Sequence, residues 1–244
     1  MRLTGDLHTH TNYSHGKNTI EENIIQAIDI GLEKIVISDH GSGHFLYGVK
    51  SNHWMQMREI INDMRKKYPQ IEILLGIEAN IIGIDGHIDI MEEDFEIYDV
   101  IYVGYHYGIV PYSIKDFFMF YCFNFLAKAL PFLRKKARVV NTKALLNVMD
   151  KYPIFMITHP GAKVPIDIDK IAEKAAQLGI VLEVNASHGH LSEEEINIAK
   201  KYQVKFAINS DAHIKENIGE VKKGIDAVKY ASIPIENIIN VKEG

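Results

Sequence analysis

Short runs rich in Ile and Val recur along the chain with amphipathic helical stretches between them, and this alternation restricts the fold more than any other feature. Runs of strand length fall at 3–8, 34–38, 71–77, 100–104, 154–158, 181–185 and 205–209. About seven such units predict an α/β chain in which a parallel sheet is wrapped by helices. The helix signals between them are specific. Thr19 with Glu22 and Ser192 with Glu195 fit the capping box, in which hydroxyl and carboxylate satisfy free amides of the first turn. Gly31 and Gly179 stand where helices should stop. Further helices are expected over 51–67 and 167–178. With 244 residues, 47% of them hydrophobic, the chain can bury a large core, and a single domain over 1–244 is expected.

Two stretches depart from the alternation. Residues 80–96, with an Asp85-Gly86 turn signal, read as a hairpin or an irregular excursion. Residues 112–151 read as a helical, aromatic-rich insertion. Its apolar part, 117–133, is interrupted by Asn124, Lys128 and Pro131 and is too short to span a bilayer comfortably, so no membrane partner is expected. A helical lid, core packing or a subunit contact making a homo-oligomer all remain open for it. The basic cluster behind it, Arg134, Lys135, Lys136 and Arg138, reads as a solvated face; the sharper reading gives Arg134 and Arg138 to a substrate phosphate.

A net charge of −5 offers no global attraction for nucleic acid or an anionic membrane, although a local basic patch could still act. Small substrates are favoured. The single Cys122, set among aromatic residues, reads as a small buried hydrophobe and excludes an internal disulfide. Residues 1–6 carry a polar strand pattern in place of a secretory signal, which points to the cytoplasm.

Chemistry is concentrated at strand ends. His8 and His10 close the first predicted strand, Asp39 and His40 the second, Glu78 the third, His106 the fourth and His159 the fifth; Asp211 and His213 follow the seventh. In a closed parallel barrel all strand C-termini open on one face, so these residues converge. Side chains alternate along a strand, so Asp6, His8 and His10 are expected to point the same way. Imidazole is a borderline ligand and a carboxylate can bridge two cations, so the set can hold two or three divalent ions, with zinc, manganese and iron all suited. Taken singly, His106 or His159 reads as a hydrogen-bonded structural histidine; the joint placement carries the argument. His87 follows a turn signal and serves as a control, while His44, His53, His188 and His190 read as loop histidines near the same face.

These residues resemble the PHP family, the polymerase and histidinol phosphatase domains. The resemblance runs from Asp-Leu-His-Thr-His-Thr-Asn-Tyr-Ser-His-Gly (6–16) through Ile-Ser-Asp-His (37–40), Gly-Ile-Glu (76–78), Gly-Tyr-His (104–106) and Thr-His-Pro-Gly (158–161) to Asn-Ser-Asp-Ala-His (209–213). It implies a distorted seven-stranded (β/α)7 TIM-like barrel with a trinuclear site. By motif, His8, His10, Glu78 and Asp211 would hold one ion, and Glu78 would bridge to a second completed by His106 and His159. His15, His40 and His213 would hold the third. The long insertion between His106 and His159 departs from compact members of the family and leaves substrate choice open.

The expected activity is hydrolysis of phosphoric ester bonds by metal-activated hydroxide, since coordination lowers the pKa of water from about 16 to about 7. A small phosphomonoester, as in a histidinol-phosphatase-like enzyme, is the leading substrate class. A nuclease or phosphodiesterase and a non-catalytic metal-binding module are the alternatives. Asp39 or His53 could protonate the leaving group, although Asp39 also suits a role orienting a metal-bound histidine.

Overall fold

The computed structural model describes residues 1–244. Seven strands, β1 (Gly5–Thr9), β2 (Lys34–Ile37), β3 (Glu72–Gly83), β4 (Val100–Gly104), β5 (Met156–Ile157), β6 (Val181–Asn185) and β7 (Phe206–Asn209), pair in parallel in sequence order. Each parallel step needs a crossover, and five of the six are helical: α1 (Ile20–Asp29), α2 (Ser51–Lys67), α3 (Pro131–Lys151), α4 (Ile168–Leu178) and α5 (Glu193–Ala199); between β3 and β4 the chain crosses through a hairpin and a 3-10 helix, Glu92–Ile97. A last helix, α6 (Lys222–Tyr230), follows β7. Both predicted capping boxes are formed, at Thr19 and at Ser192. Gly179 ends α4 in the left-handed conformation, with φ 71°.

The sheet curls into a nearly closed barrel. Between β1 and β7 the only backbone ladder is a bridge from Thr9 to Ala212. Asn240 occupies the rest of the seam: its amide donates to the carbonyls of Gly5 (2.9 Å) and Ile208 (2.7 Å), and its oxygen accepts from the Ile208 amide (3.0 Å). A buried side chain thus satisfies strand groups that would otherwise lack partners. The short strands Arg2–Leu3 and Val241–Lys242 pair antiparallel and hold the chain ends together.

Apolar packing falls into two layers. Leu7, Val36, Tyr102, Met156, Val181 and Ala207 fill the barrel, and a larger core lies between sheet and helices. Strand β1 departs from simple alternation. Asp6 pairs with Ile35 but Thr9 with Ile37, so one extra residue is inserted in a bulge. Leu7 and His8 both turn to buried interior partners, whereas Asp6 turns to Ser210 and the amide of Gly219. The expectation that Asp6 shares a face with His8 and His10 fails for this reason.

Strand β3 continues past the barrel and returns through His87–Ile88 as a hairpin. The 112–151 segment is helical: Ile114–Phe117, a π-helical turn Phe118–Phe123, and Asn124–Ala129 lead into α3, which starts on Pro131 at a position where a proline costs no hydrogen bond. The two arms are fastened by a buried reciprocal amide pair, Asn124 with Asn141, at 3.1 and 2.8 Å. Cys122 lies on the first arm and is half-buried, not buried as its aromatic neighbours suggested. No helix is long and apolar enough to cross a membrane.

Candidate metal centre

At the C-terminal end of the barrel the strands deliver His8 from β1 and His10 just after it, His40 after β2, Glu78 from within β3, His106 after β4, His159 after β5, and Asp211 and His213 after β7. Glu78 is central. Its Oε1 lies 2.9 Å from His159 Nε2 and 3.2 Å from His106 Nε2, while Oε2 lies 3.0 Å from His40 Nδ1 and 3.4 Å from His8 Nε2. Asp211 Oδ1 is 3.1 Å from His10 Nε2 and 3.6 Å from His8 Nε2. Four sets of donor atoms are close enough to share an ion: His8, His10 and Asp211; Glu78, His106 and His159; His10, His40 and Glu78; and His10, His15 and His213.

The donors suit a cation better than they suit one another. Oε2 of Glu78 is buried without a hydrogen bond, as is Nδ1 of His40, which faces it. Nε2 of His8 faces Nε2 of His10 at 3.1 Å, and the His106 and His159 Nε2 atoms face each other at 3.2 Å. Zinc–nitrogen bonds of about 2.0–2.1 Å in a tetrahedron put ligand nitrogens about 3.3 Å apart, so these spacings fit a shared ion. Two of the residues have backbones in the left-handed region, His159 (φ 28°) and Asp211 (φ 55°). Such strain persists only where surrounding structure enforces it, and it is commonest at functional sites.

The electrostatics agree. Burial opposes ionisation of Glu78, yet His106, His8 and His40 hold its carboxyl well below the usual range. Asp211 is likewise held well below, against burial, by His8 and His10. Burial works against charge on His8, but Glu183, Glu78 and Asp211 raise its imidazole well above the ordinary value. Burial pushes His106 and His15 down to about 3 and holds His10 well below its ordinary value, which keeps their nitrogens free for a metal.

The remaining sequence candidates separate. Asp39 is fully buried and saturated by the Thr11 amide (2.8 Å), the Thr11 hydroxyl (2.5 Å) and the Ser14 hydroxyl; its carboxylate is 3.8 Å from His10 Nδ1. That environment suits orientation of the 10–15 loop rather than proton delivery. His53 sits on the first turn of α2 against Tyr13, in a different cavity from the metal cluster. Arg134 and Arg138 do not reach the cleft: Arg134 is exposed on α3, and Arg138 pairs with Asp167 at 2.9 Å. The cation that does line the cleft is Lys163, with Nζ 3.4 Å from His188 Nε2. Tyr107, which donates to the Lys163 carbonyl, and Tyr47, stacked on His15, form the rim, and His44 and His188 join them there. His87 stacks on Tyr112 outside the cleft, as its turn signal suggested.

The sixth strand, from which the sequence reading took no site residue, supplies the floor. Glu183 Oε1 lies 2.7 Å from His8 Nδ1, Oε2 accepts from the His159 amide at 2.7 Å, and Asn185 donates to Asp211 at 3.1 Å. The signal was present: a carboxylate inside the apolar strand Val-Leu-Glu-Val needs buried partners.

Comparison with known proteins agrees with this geometry. A family model described as PHP domain matches residues 6–188. A "Probable phosphatase" of Caldanaerobacter subterraneus subsp. tengcongensis is 30% identical over 250 residues, covering 98% of this chain and 88% of that protein. Another "Probable phosphatase", from Thermoanaerobacter sp., is 29% identical over 259 residues, covering 100% of this chain and 93% of the relative. Among solved structures, a histidinol phosphate phosphatase from Lactococcus lactis, complexed with zinc, L-histidinol and phosphate, superposes with a TM-score of 0.65 at 15% identity, covering 96% of this chain and 95% of that one. The strand-end cluster, the barrel that carries it and the extent of the family match make this chain a member of the PHP domain family.

Proposed function

We propose that this protein, as one barrel domain over 1–244, hydrolyses small phosphomonoesters at a trinuclear site of zinc, manganese or iron. The observation that carries the reading is the position of Glu78, whose two oxygens face separate groups of imidazoles: His106 and His159 on one side, His8, His10 and His40 on the other. A carboxylate so placed suits a bridge between two cations. His8, His10 and Asp211 would complete one position, His106 and His159 the second, and His15, His40 and His213 the third. Divalent ions supply Lewis acidity, which acidifies water and offsets phosphate charge.

The residues of the chain do the rest. Asp211, Glu78 and the imidazoles would fix the cations; Glu183 holds His8 and the His159 amide from behind, and Asp39 fixes the 10–15 loop that carries His10 and His15. Lys163 and His188 stand at the mouth, where a phosphoryl oxygen would meet a positive charge and a hydrogen-bond donor. The cleft, about 240 Å³, admits a phosphoryl group and a small leaving group.

The test is direct: count metals in the purified protein and assay phosphomonoesters, histidinol phosphate among them, beside phosphodiesters and oligonucleotides, with and without chelator. Chelator-sensitive monoester turnover is expected, abolished in Glu78→Gln. Failure to retain metal after loading with zinc, manganese and iron, or full turnover in Glu78→Gln, overturns the assignment.

A further inference from the structure

The helical insertion carries a surface that the metal centre does not use. From 117 to 149 the chain has six lysines and arginines and no acidic residue, in a protein whose net charge is −5. The turn between Asn124–Ala129 and α3 also leaves aromatic side chains in solvent: Phe125 is 73% exposed and Phe132 70%. Leu126 and Leu130 are exposed beside them. Four large apolar side chains exposed around this one turn mark a candidate contact.

The fold places this turn. Helix α3 leads into β5, so in a parallel barrel its N-terminus lies at the end where the strands finish, on the side of the metal cleft. Twenty-one residues make α3 about 31 Å long. A five-residue barrel strand rises about 17 Å. The helix therefore overshoots the barrel, and its first turns, where Ala137 is the only buried residue before Asn141, stand clear of the body.

Along that projecting end the chemistry is layered. The apolar side chains occupy the tip, and Arg134, Lys135 and Lys136 follow about 3–6 Å further down the axis than Phe132 at 1.5 Å per residue. Arg138 is engaged by Asp167, whereas Arg134, Lys135 and Lys136 are exposed to solvent. An apolar tip with a basic collar within about one turn behind it matches the order of acyl boundary and anionic headgroup in a membrane leaflet, where interfacial helices bury about 5–10 Å.

We propose that the tip formed by Phe125, Leu126, Leu130 and Phe132, with its collar of Arg134, Lys135 and Lys136, docks the protein peripherally on an anionic lipid surface. This is contact with one leaflet, not spanning. A symmetric contact with a second copy fits less well, because a two-fold axis through the tip would oppose one basic collar to another. The cleft lies at the docked end, and Lys128 links the two regions by sitting 4.3 Å over the ring of Tyr107 at the cleft rim.

Sedimentation of the full chain, metal-loaded, with vesicles of phosphatidylcholine alone or mixed with phosphatidylglycerol tests this. Binding is expected only to the anionic vesicles, weakening as salt is raised. The double variants Phe125→Ser/Phe132→Ser and Lys135→Gln/Lys136→Gln should each bind at least about tenfold more weakly. Because these side chains are solvent-exposed, unchanged melting temperatures should accompany the loss. The proposal is overturned if the chain ignores anionic vesicles at low salt, or if either double variant binds them as the parent does. It is also overturned if Phe125→Ser/Phe132→Ser abolishes a dimer in vesicle-free solution, which assigns the tip to a second copy, or if oligonucleotides are retained where vesicles are not.

Discussion

Nδ1 of His8 lies 2.7 Å from Oε1 of Glu183, a buried contact between the first and sixth barrel strands that leaves Nε2 facing His10, Glu78 and Asp211. With the proton on Nδ1 directed at the carboxylate, Nε2 would offer its lone pair to a cation that displaces its second proton in the space shared with His10, Glu78 and Asp211. Glu183 also accepts from the His159 amide (2.7 Å), Asn185 (3.1 Å) and Asn209 (2.9 Å), so every group around it is a donor. Glu183→Gln must turn an amide NH2 toward one of them. Metal affinity should fall about 10–100-fold. The melting temperature should drop as a buried polar mismatch of about 1–3 kcal/mol would require. Zinc titration calorimetry with thermal melts measures both, and unchanged affinity would remove Glu183 from an orienting role.

Lys163 and Arg138 separate two accounts of phosphate binding. Lys163 lines the cleft, held there by the hydrogen bond from Tyr107 to its carbonyl, whereas Arg138 is spent on Asp167. Loss of a charged hydrogen-bond partner costs about 1.5–3 kcal/mol, so Lys163→Met should raise KM for a phosphomonoester at least about tenfold, with Lys163→Arg recovering much of it. Arg138→Ala should leave KM unchanged. The reverse pattern in steady-state kinetics would return the phosphate grip to the insertion.

What the sequence makes legible is the backbone frame. Strands recur as apolar runs because both faces of a parallel sheet are covered, and the capping boxes at Thr19 and Ser192 are local chemistry that tertiary contacts do not override. The convergence of His8, Glu78, His106 and Asp211 follows from topology alone, once all strands run the same way. Less legible is anything set by one bond or one inserted residue. The bulge at 6–9 turns Asp6 away from the histidines, and no residue type announces it. Arg138 looks available until Asp167, 29 positions later, is folded against it. Glu183 was readable as an oddity, a charge in an apolar strand, but its four partners come from β1, β6, β7 and the loop after β5, and only the closed barrel assembles them.

Stripped of metal, the protein should lose stability in acid. Burial holds His106 and His15 down to about 3 and His44 down to about 4, while the unfolded chain takes up protons at these histidines near 6.5. Between those limits the unfolded state binds more protons, so stability falls as pH falls. His8 does not offset this: its raised value gives stabilisation already complete below 6.5 and lost only on the alkaline side. Glu78 and Asp211, held low, lose their stabilising contribution as pH drops below the ordinary carboxylate range. The His106 side chain is 6% exposed. It should contribute up to about 1.4 kcal/mol per pH unit. His15, partly open to solvent, contributes less. Thermal melts in chelator should show the midpoint falling steadily from about pH 7 to about pH 4. Zinc should raise it, by an amount that shrinks in acid as protons compete for the same nitrogens. A flat or rising midpoint toward acid contradicts the assigned burial.

The spacing of His106 and His159 depends on an absence of side chain beneath them. Gly104, the last residue of β4, has Thr158 Oγ1 2.4 Å from where a Cβ would stand, and the Cε1 atoms of His106 and His159 at 3.0 and 3.1 Å. A methyl group there cannot be accommodated by rotating one flexible chain, since two rings and a strand hydroxyl close on it from different elements. Gly104→Ala should therefore spread the two imidazoles, whose Nε2 atoms stand 3.2 Å apart. Overpacking of this kind costs about 1–3 kcal/mol in stability. The diagnostic effect is on metal content: the position shared by Glu78, His106 and His159 should empty first, while the one built by His8, His10 and Asp211, on the far side of Glu78, is retained. Metal analysis of the purified variant should then find one ion fewer than in the parent, and anomalous scattering from its crystals would identify the position lost. Full occupancy beside His106 and His159 would mean that these ligands tolerate displacement and that their tight approach is not what binds the ion.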